Sequence, residues 1–166
     1  MRELRPKPLT AQAFARFGDV IEARGAPLLI NQGHAKRYHD LATLDLLADG
    51  GRTTVSVFHS TPPAFPFAIR EMERHPKSTQ AFMPLSGRPF VVVVAPAGAF
   101  DEHTIEAFVV SPQQGINLHK GVWHHFNLAL EAESAFLVID RDAADENTDA
   151  VTLSAPILLH APERGL

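Results

Sequence analysis

Histidines at 119, 124 and 125 fall within seven residues of one another, in the run Asn117, Leu118, His119, Lys120, Gly121, Val122, Trp123, His124, His125. A fourth, His75, stands two positions after Glu73. Imidazole ionises at a pKa of about 6.5, so histidines can give and take protons near neutral pH, and the neutral ring is a ligand for divalent metals. A lone histidine is most often a surface or core residue with its ring nitrogens satisfied; three clustered beside a tryptophan point to a site. On a strand, residues two apart project from the same face, which would bring the Glu73 carboxylate and the His75 imidazole together. The chain has no cysteine. Thiolate nucleophiles, thiolate metal sites and disulfides are therefore excluded, and the chemistry on offer is proton transfer or metal binding.

The rest of the composition narrows the setting. The sequence has 166 residues, with 15 Lys plus Arg against 19 Asp plus Glu and a net charge of −4. That length suits one domain with a single core. With 45% hydrophobic and 20% charged residues, the balance is that of a globular protein. A net negative chain gives no reason to expect nucleic acid or an anionic membrane as partner. The opening residues, Met1 to Pro6, have no apolar stretch of signal-peptide kind, and the longest apolar run, Phe90 to Ala97, is too short to span a bilayer. A cytoplasmic protein is the expectation.

The elements that must position these side chains are mostly strands. A short helix after Thr10 is expected, with Thr10 as its cap, Phe14 and Phe17 on one face and Gly18 as its stop. Leu41, Leu44 and Leu47 recur every third residue and predict a second helix from Asp40 to Leu47, ended by Gly50 and Gly51. Beyond these, Thr53–Phe58, Ile69–Arg74, Thr79–Leu85, Phe90–Ala95, Ile105–Val110, Gly115–His119 and Ala135–Asp140 read as strands. Four consecutive valines, Val91 to Val94, predict a strand buried on both faces. Asp142 to Asp149 reads as a polar, solvated loop. Closely spaced strands with Gly and Pro turns predict a mostly β protein, a double-sheet barrel or sandwich with a few short helices.

Two motifs add to this. Glu73, His75, Gln80 and Gly87, followed by Gly121 and His124, resemble the paired motifs of the cupins, where the first carries two histidines, a glutamate and a glycine and the second a glycine and a histidine. Glu73 stands in place of the first histidine, and Gln80 replaces the glutamate. The resemblance implies a cupin-like, jelly-roll type double-sheet β-barrel with its site inside the mouth. Glu73, His75 and His124 are the candidate metal ligands; two imidazoles and a carboxylate can hold a divalent ion, whereas the Gln80 amide is a weak ligand. A divalent metal and a metal-free, hydrogen-bonded cluster both remain open.

Further strings narrow the likeness. Arg37–Asp40, Glu73–Pro76, Thr79–Leu85, Phe90–Ala95, Gln114–His119, Val122–His125 and Val138–Arg141 together resemble the ureidoglycolate lyase family, in order and over most of the chain. That resemblance implies cleavage of ureidoglycolate, a small-molecule substrate, to glyoxylate and urea late in allantoin and purine breakdown. It also implies a homodimer of cupin-like subunits. The reaction is the collapse of a carbinolamide, which needs a base, an acid and a group to hold a carboxylate. On this reading His119 and His124 share the site wall and the proton work, with His75 as their partner or as a ligand. Gln80 and Asn117 would bond the ureido group, and Trp123 would wall the pocket or sit in the core. Lys120, Arg74, Arg37 and Lys77 are the cations nearest in sequence, and Arg37 with Tyr38 could cap the site from a loop or from a partner subunit. Another metal-dependent cupin enzyme, an isomerase or dioxygenase, and a non-enzymatic small-molecule-binding barrel are the alternatives.

Overall fold

A computed structural model describes residues 1–165. Strands dominate: β1 (Glu3–Leu4), β2 (Lys7–Pro8), β3 (Gly18–Ile21), β4 (Leu28–Ile30), β5 (Ala35–Arg37), β6 (Arg52–Ser60), β7 (Phe67–Arg74), β8 (Gln80–Pro84), β9 (Phe90–Ala95), β10 (Glu106–Val110), β11 (Gly115–Leu118), β12 (Trp123–His124), β13 (Leu128–Ala129), β14 (Ser134–Asp142) and β15 (Asp149–Leu159). One α-helix, α1 (Ala11–Phe14), and three single-turn 3-10 helices complete the described elements.

The strands form two facing sheets, one ordered β1-β15-β7-β12-β9-β10-β2 with β13 beside β9, the other β3-β11-β8-β14-β6. This is the expected mostly β, cupin-like double-sheet barrel. The hairpin β4–β5 pairs only with itself. Between the sheets lies a core of Phe14, Phe17, Phe82, Phe90, Phe108, Phe136, Val92 and Val94 with their neighbours. Val91, Val93 and Ala95 face the other way, into a second cluster with Ile69, Met72, Trp123 and Leu128. Every residue of β9 is thus buried, as four β-branched valines in a row require.

Thr10 caps α1, its Oγ1 accepting from the Ala13 N–H at 3.1 Å. The helix stops before Gly18 because that glycine already belongs to β3. A Cβ there would lie 2.1 Å from the Asn117 carbonyl oxygen, so only glycine lets β3 and β11 approach this closely.

Two expectations fail locally. Asp40 to Leu47 is not a helix but extended, irregular chain. Its backbone is claimed by side chains: Asp19 Oδ2 accepts from Thr43 N–H at 3.1 Å, Asn117 Nδ2 donates to Thr43 O at 2.9 Å, and Thr79 Oγ1 accepts from Asp45 N–H at 3.0 Å. Those bonds outcompete the helical ladder, and the segment buries Leu46 while Leu44 and Leu47 face outward. The alternation in β7 also slips: Ile69 and Met72 are both buried, opposite a register shift in β15 between Thr152 and Ile157. Asp142–Asp149 is the expected polar and mostly exposed loop, with Asp145 pairing to Arg141 and Lys77.

Candidate active site

Register alone builds the site. His124 of β12 lies between Glu73 of β7 and Val94 of β9. Val94 points into the inter-sheet core, so the same cross-strand row points Glu73 and His124 inward. Trp123, next to His124, pairs with Ala95 and therefore faces the opposite way. His75 follows Glu73 at the end of β7, and the chain there is tied to the turn before β12 by a hydrogen bond from Gly121 N–H to the His75 carbonyl at 2.9 Å. Gly121 has a φ of 77°, a conformation that favours glycine and explains its place in the motif. Gln80 opens β8 opposite Leu118, on the inward face of the second sheet.

One ligand atom from each of Glu73, His75 and His124 lies within 4.8 Å of the others. The His75 and His124 ring centroids are 5.0 Å apart. Each ring has its Nδ1 against a carbonyl oxygen, His75 with Asn147 O at 2.9 Å and His124 with Val122 O at 3.1 Å. A carbonyl only accepts, so both neutral rings carry their proton on Nδ1 and a lone pair on Nε2. Both Nε2 atoms are buried with no hydrogen-bond partner among the described residues. His124 Nε2 lies 3.5 Å from Glu73 Oε1. Two lone pairs and a carboxylate converge here, an arrangement that a proton on one ring, a donor from a bound molecule or a metal ion would satisfy. The two-nitrogen, one-carboxylate set suits a divalent ion.

Electrostatics agree. The adjacent His124 imidazole holds the Glu73 carboxyl below the usual carboxylate range against the opposing cost of burial. Burial pushes His75 below the ordinary imidazole value, and His124 beside it adds to the effect. Burial also lowers His125, whose Nδ1 faces the Phe126 carbonyl at 3.0 Å. Both rings are thereby kept neutral near pH 7.

Three small cavities surround the cluster. One of about 120 Å³ is lined by Glu73, His124 and His125; one of about 90 Å³ by Glu73, His124, Gln80 and the rings of Phe58 and Phe82; one of about 130 Å³ by His75, Gln80, Asp140 and Arg141. Gln80 Nε2 donates to Asp140 Oδ2 at 3.2 Å, which leaves its carbonyl oxygen for a donor in the cavity.

Other expected site residues lie elsewhere. Leu118 faces the core, so its neighbours Asn117 and His119 turn to the outer face of the second sheet. There Asn117 Nδ2 donates to Asp19 Oδ2 at 3.0 Å, and His119 Nε2 lies 3.2 Å from Asp19 Oδ1. His119 and His124 therefore do not share a wall. Trp123 sits in the outer core cluster, donating to Gly98 O at 3.0 Å and covered by the Arg74 guanidinium. Arg74 pairs with Asp149, Lys120 with Asp45 and Lys77 with Asp145. Arg37 is exposed on the β4–β5 hairpin and Tyr38 follows it, half-buried.

His125, Asp140, Arg141 and Asn147 also line these cavities, and the sequence gives none of them a separate role. His125 was visible in the histidine cluster; the other three stand in or beside β14 and its loop, where no spacing links them to His75.

Comparison with known proteins decides the family. A family model described as ureidoglycolate lyase matches residues 1–160. The chain belongs to the ureidoglycolate lyase family. Relatives named ureidoglycolate lyase include one from Burkholderia mallei, 48% identical over 96% of this chain and 94% of its own length. One from Burkholderia cepacia is 51% identical over 90% and 86%, and one from Pseudomonas aeruginosa (strain LESB58) is 45% identical over 90% and 89%. Membership in this family favours neither the isomerase or dioxygenase alternative nor the non-enzymatic barrel. Among the described residues, no helix is long and apolar enough to cross a membrane.

Proposed function

We infer that this protein is a carbon–nitrogen lyase that cleaves ureidoglycolate to glyoxylate and urea. The observation that carries this reading is the inward cluster of Glu73, His75 and His124, with two unpartnered Nε2 lone pairs, in a chain of this family. Glu73, His75 and His124 would hold a divalent metal ion, which when bound would lower the pKa of the substrate hydroxyl. His125, neutral and lining the cavity beside Glu73, takes the hydroxyl proton. The carbonyl of glyoxylate forms as the carbon–nitrogen bond breaks, its electron pair leaves on the ureido nitrogen, and the same imidazole returns the proton there to release urea. Gln80 accepts a hydrogen bond from the ureido N–H through its free carbonyl oxygen. Arg141 binds the carboxylate: its side chain is only 1% exposed, its Nε and Nη2 are held by Ala48 O and Asp145, and its Nη1 has no partner among the described residues.

The reading includes a single catalytic domain, a cytoplasmic location and a homodimer. Exposed Val55 and Val57 on β6, the edge of the second sheet, support self-association.

The test is release of urea and glyoxylate from racemic ureidoglycolate, before and after chelator treatment. Equal amounts of both products, lost with chelator and regained with a divalent ion, are expected. Ammonia in place of urea, or no turnover by the metal-loaded protein, would overturn the reading.

A further inference from the structure

The loop between β14 and β15 has the composition of solvated chain, yet its residue 147 is bonded three times to the turn that follows β7. The Asn147 carbonyl oxygen lies 2.9 Å from His75 Nδ1, its Oδ1 accepts from Lys77 N–H at 2.8 Å, and its Nδ2 donates to Ser78 Oγ at 2.9 Å. Asp145 fastens the same loop through Arg141, at 2.9 Å, and through Lys77. An asparagine is suited to this task because one short side chain supplies both an acceptor for the amide and a donor for the hydroxyl.

The two inward histidines differ in how their tautomer is held. His124 is oriented by Val122, two residues away, within its own turn. His75 is oriented by a carbonyl 72 positions away, on a loop that must be held in place for the bond to exist. Without that acceptor, nothing else at normal hydrogen-bond length fixes Nδ1; Thr148 Oγ1 stands 3.4 Å from it, and a hydroxyl can donate as well as accept.

We propose that Asn147 is a positioning residue: by clamping the β14–β15 loop onto the His75–Ser78 turn, it holds His75 as the Nδ1–H tautomer and so presents the Nε2 lone pair to the cavity. The metal arm of the test rests on the divalent-ion reading above; the tautomer arm does not. Bonds of this kind behind a metal-bound histidine are typically worth about 10–100-fold in metal affinity.

The full-length protein is compared with Asn147→Ala and Asn147→Asp, using Trp123 fluorescence to confirm that each variant is folded. Long-range proton–nitrogen spectra of the metal-free proteins read the His75 ring nitrogens, and cobalt(II) titration reads the metal site. Wild type should show the pure Nδ1–H pattern. Asn147→Ala should show a mixture of tautomers and bind cobalt about 10–100-fold more weakly. Asn147→Asp keeps an acceptor for Lys77 N–H and offers an oxygen to which the Ser78 hydroxyl can turn, so it should restore the wild-type pattern. A folded Asn147→Ala with unchanged ring-nitrogen signals would overturn the proposal. Failure of the wild type to bind cobalt would overturn the divalent-ion reading, while the ring-nitrogen pattern would still decide the role of Asn147.

Discussion

Two clusters in this molecule have nearly the same ingredients. Inside the barrel are Glu73, His75, His124 and the Gln80 amide; on the outer face of the second sheet are Asp19, His119 and the Asn117 amide. In the outer cluster the carboxylate and the amide nitrogen are spent on fixing the chain: Asp19 takes the Thr43 N–H and the Asn117 amide, and Asn117 donates to the Thr43 carbonyl. Its work is to staple residues 40–47 to the sheet. In the inner cluster the backbone bonds are all on Nδ1, and the Nε2 atoms face one another and a carboxylate with no donor between them. Residue type does not separate the two clusters: Asn117 Oδ1 is also buried without a partner, and what sets the inner cluster apart is two imidazole nitrogens converging with a carboxylate.

Substitution of the histidines should separate the two clusters most clearly. His124→Ala and His75→Ala should each lower kcat/KM by about 10²–10⁴-fold, the usual range for loss of a positioned acid–base or ligand group. His119→Ala should stay within about tenfold of wild type, under 1.4 kcal/mol in barrier. Steady-state kinetics on folded variants checks both, and a larger loss for His119→Ala than for His124→Ala would exchange the roles of the clusters. Next in size is Asn117→Ala, which leaves the Thr43 carbonyl and Asp19 short of a donor. It should destabilise the fold by about 1–3 kcal/mol in urea unfolding with kcat little changed.

A smaller effect sharpens the outer cluster. Burial raises the Asp19 pKa, but hydrogen bonds from Asn117, Thr43 and His119 outweigh it and leave the carboxyl below its usual value of 3.8. A carboxyl whose folded pKa is depressed stabilises the fold above its unfolded pKa and loses that contribution as pH falls through the folded value. The stability difference between wild type and Asp19→Asn should therefore be constant near neutral pH and shrink only below about pH 4. A difference that instead grew on acidification would show that Asp19 is not the ionised partner. Trp123→Phe removes a hydrogen bond to Gly98 and part of a buried ring under Arg74, and should cost about 1–3 kcal/mol of stability without altering KM. A raised KM would return Trp123 to the pocket wall.

Much of the fold was legible because it rests on period. The valine run predicts β9 and its burial, and the two-residue spacing of Glu73 and His75 predicts their shared face. The segment 40–47 was misread because three-residue leucine spacing says nothing about competitors for the backbone, and Asp19, Thr79 and Asn117 come from three other strands or turns. His119 and His124 looked like partners because they are close in sequence. The turn at Lys120–Val122 carries the chain from the second sheet to the first, so closeness along the chain becomes separation in space. That Asn147 and Arg141 line a cavity with His75 was not legible, since nothing local ties either to it.

The sequence by itself determined the class of protein and the class of chemistry: a mostly β chain, without thiols, whose histidines and carboxylates suit proton transfer or a divalent ion. Alternation, turn residues and residue type are local properties, and a strand's two faces follow from them. The tertiary structure alone decided which histidines meet. Cross-strand register sets Glu73 beside His124, and a long-range carbonyl orients His75. Both depend on pairing between distant segments, which is fixed by the burial of the whole inter-sheet core and is not written in any one stretch of the chain.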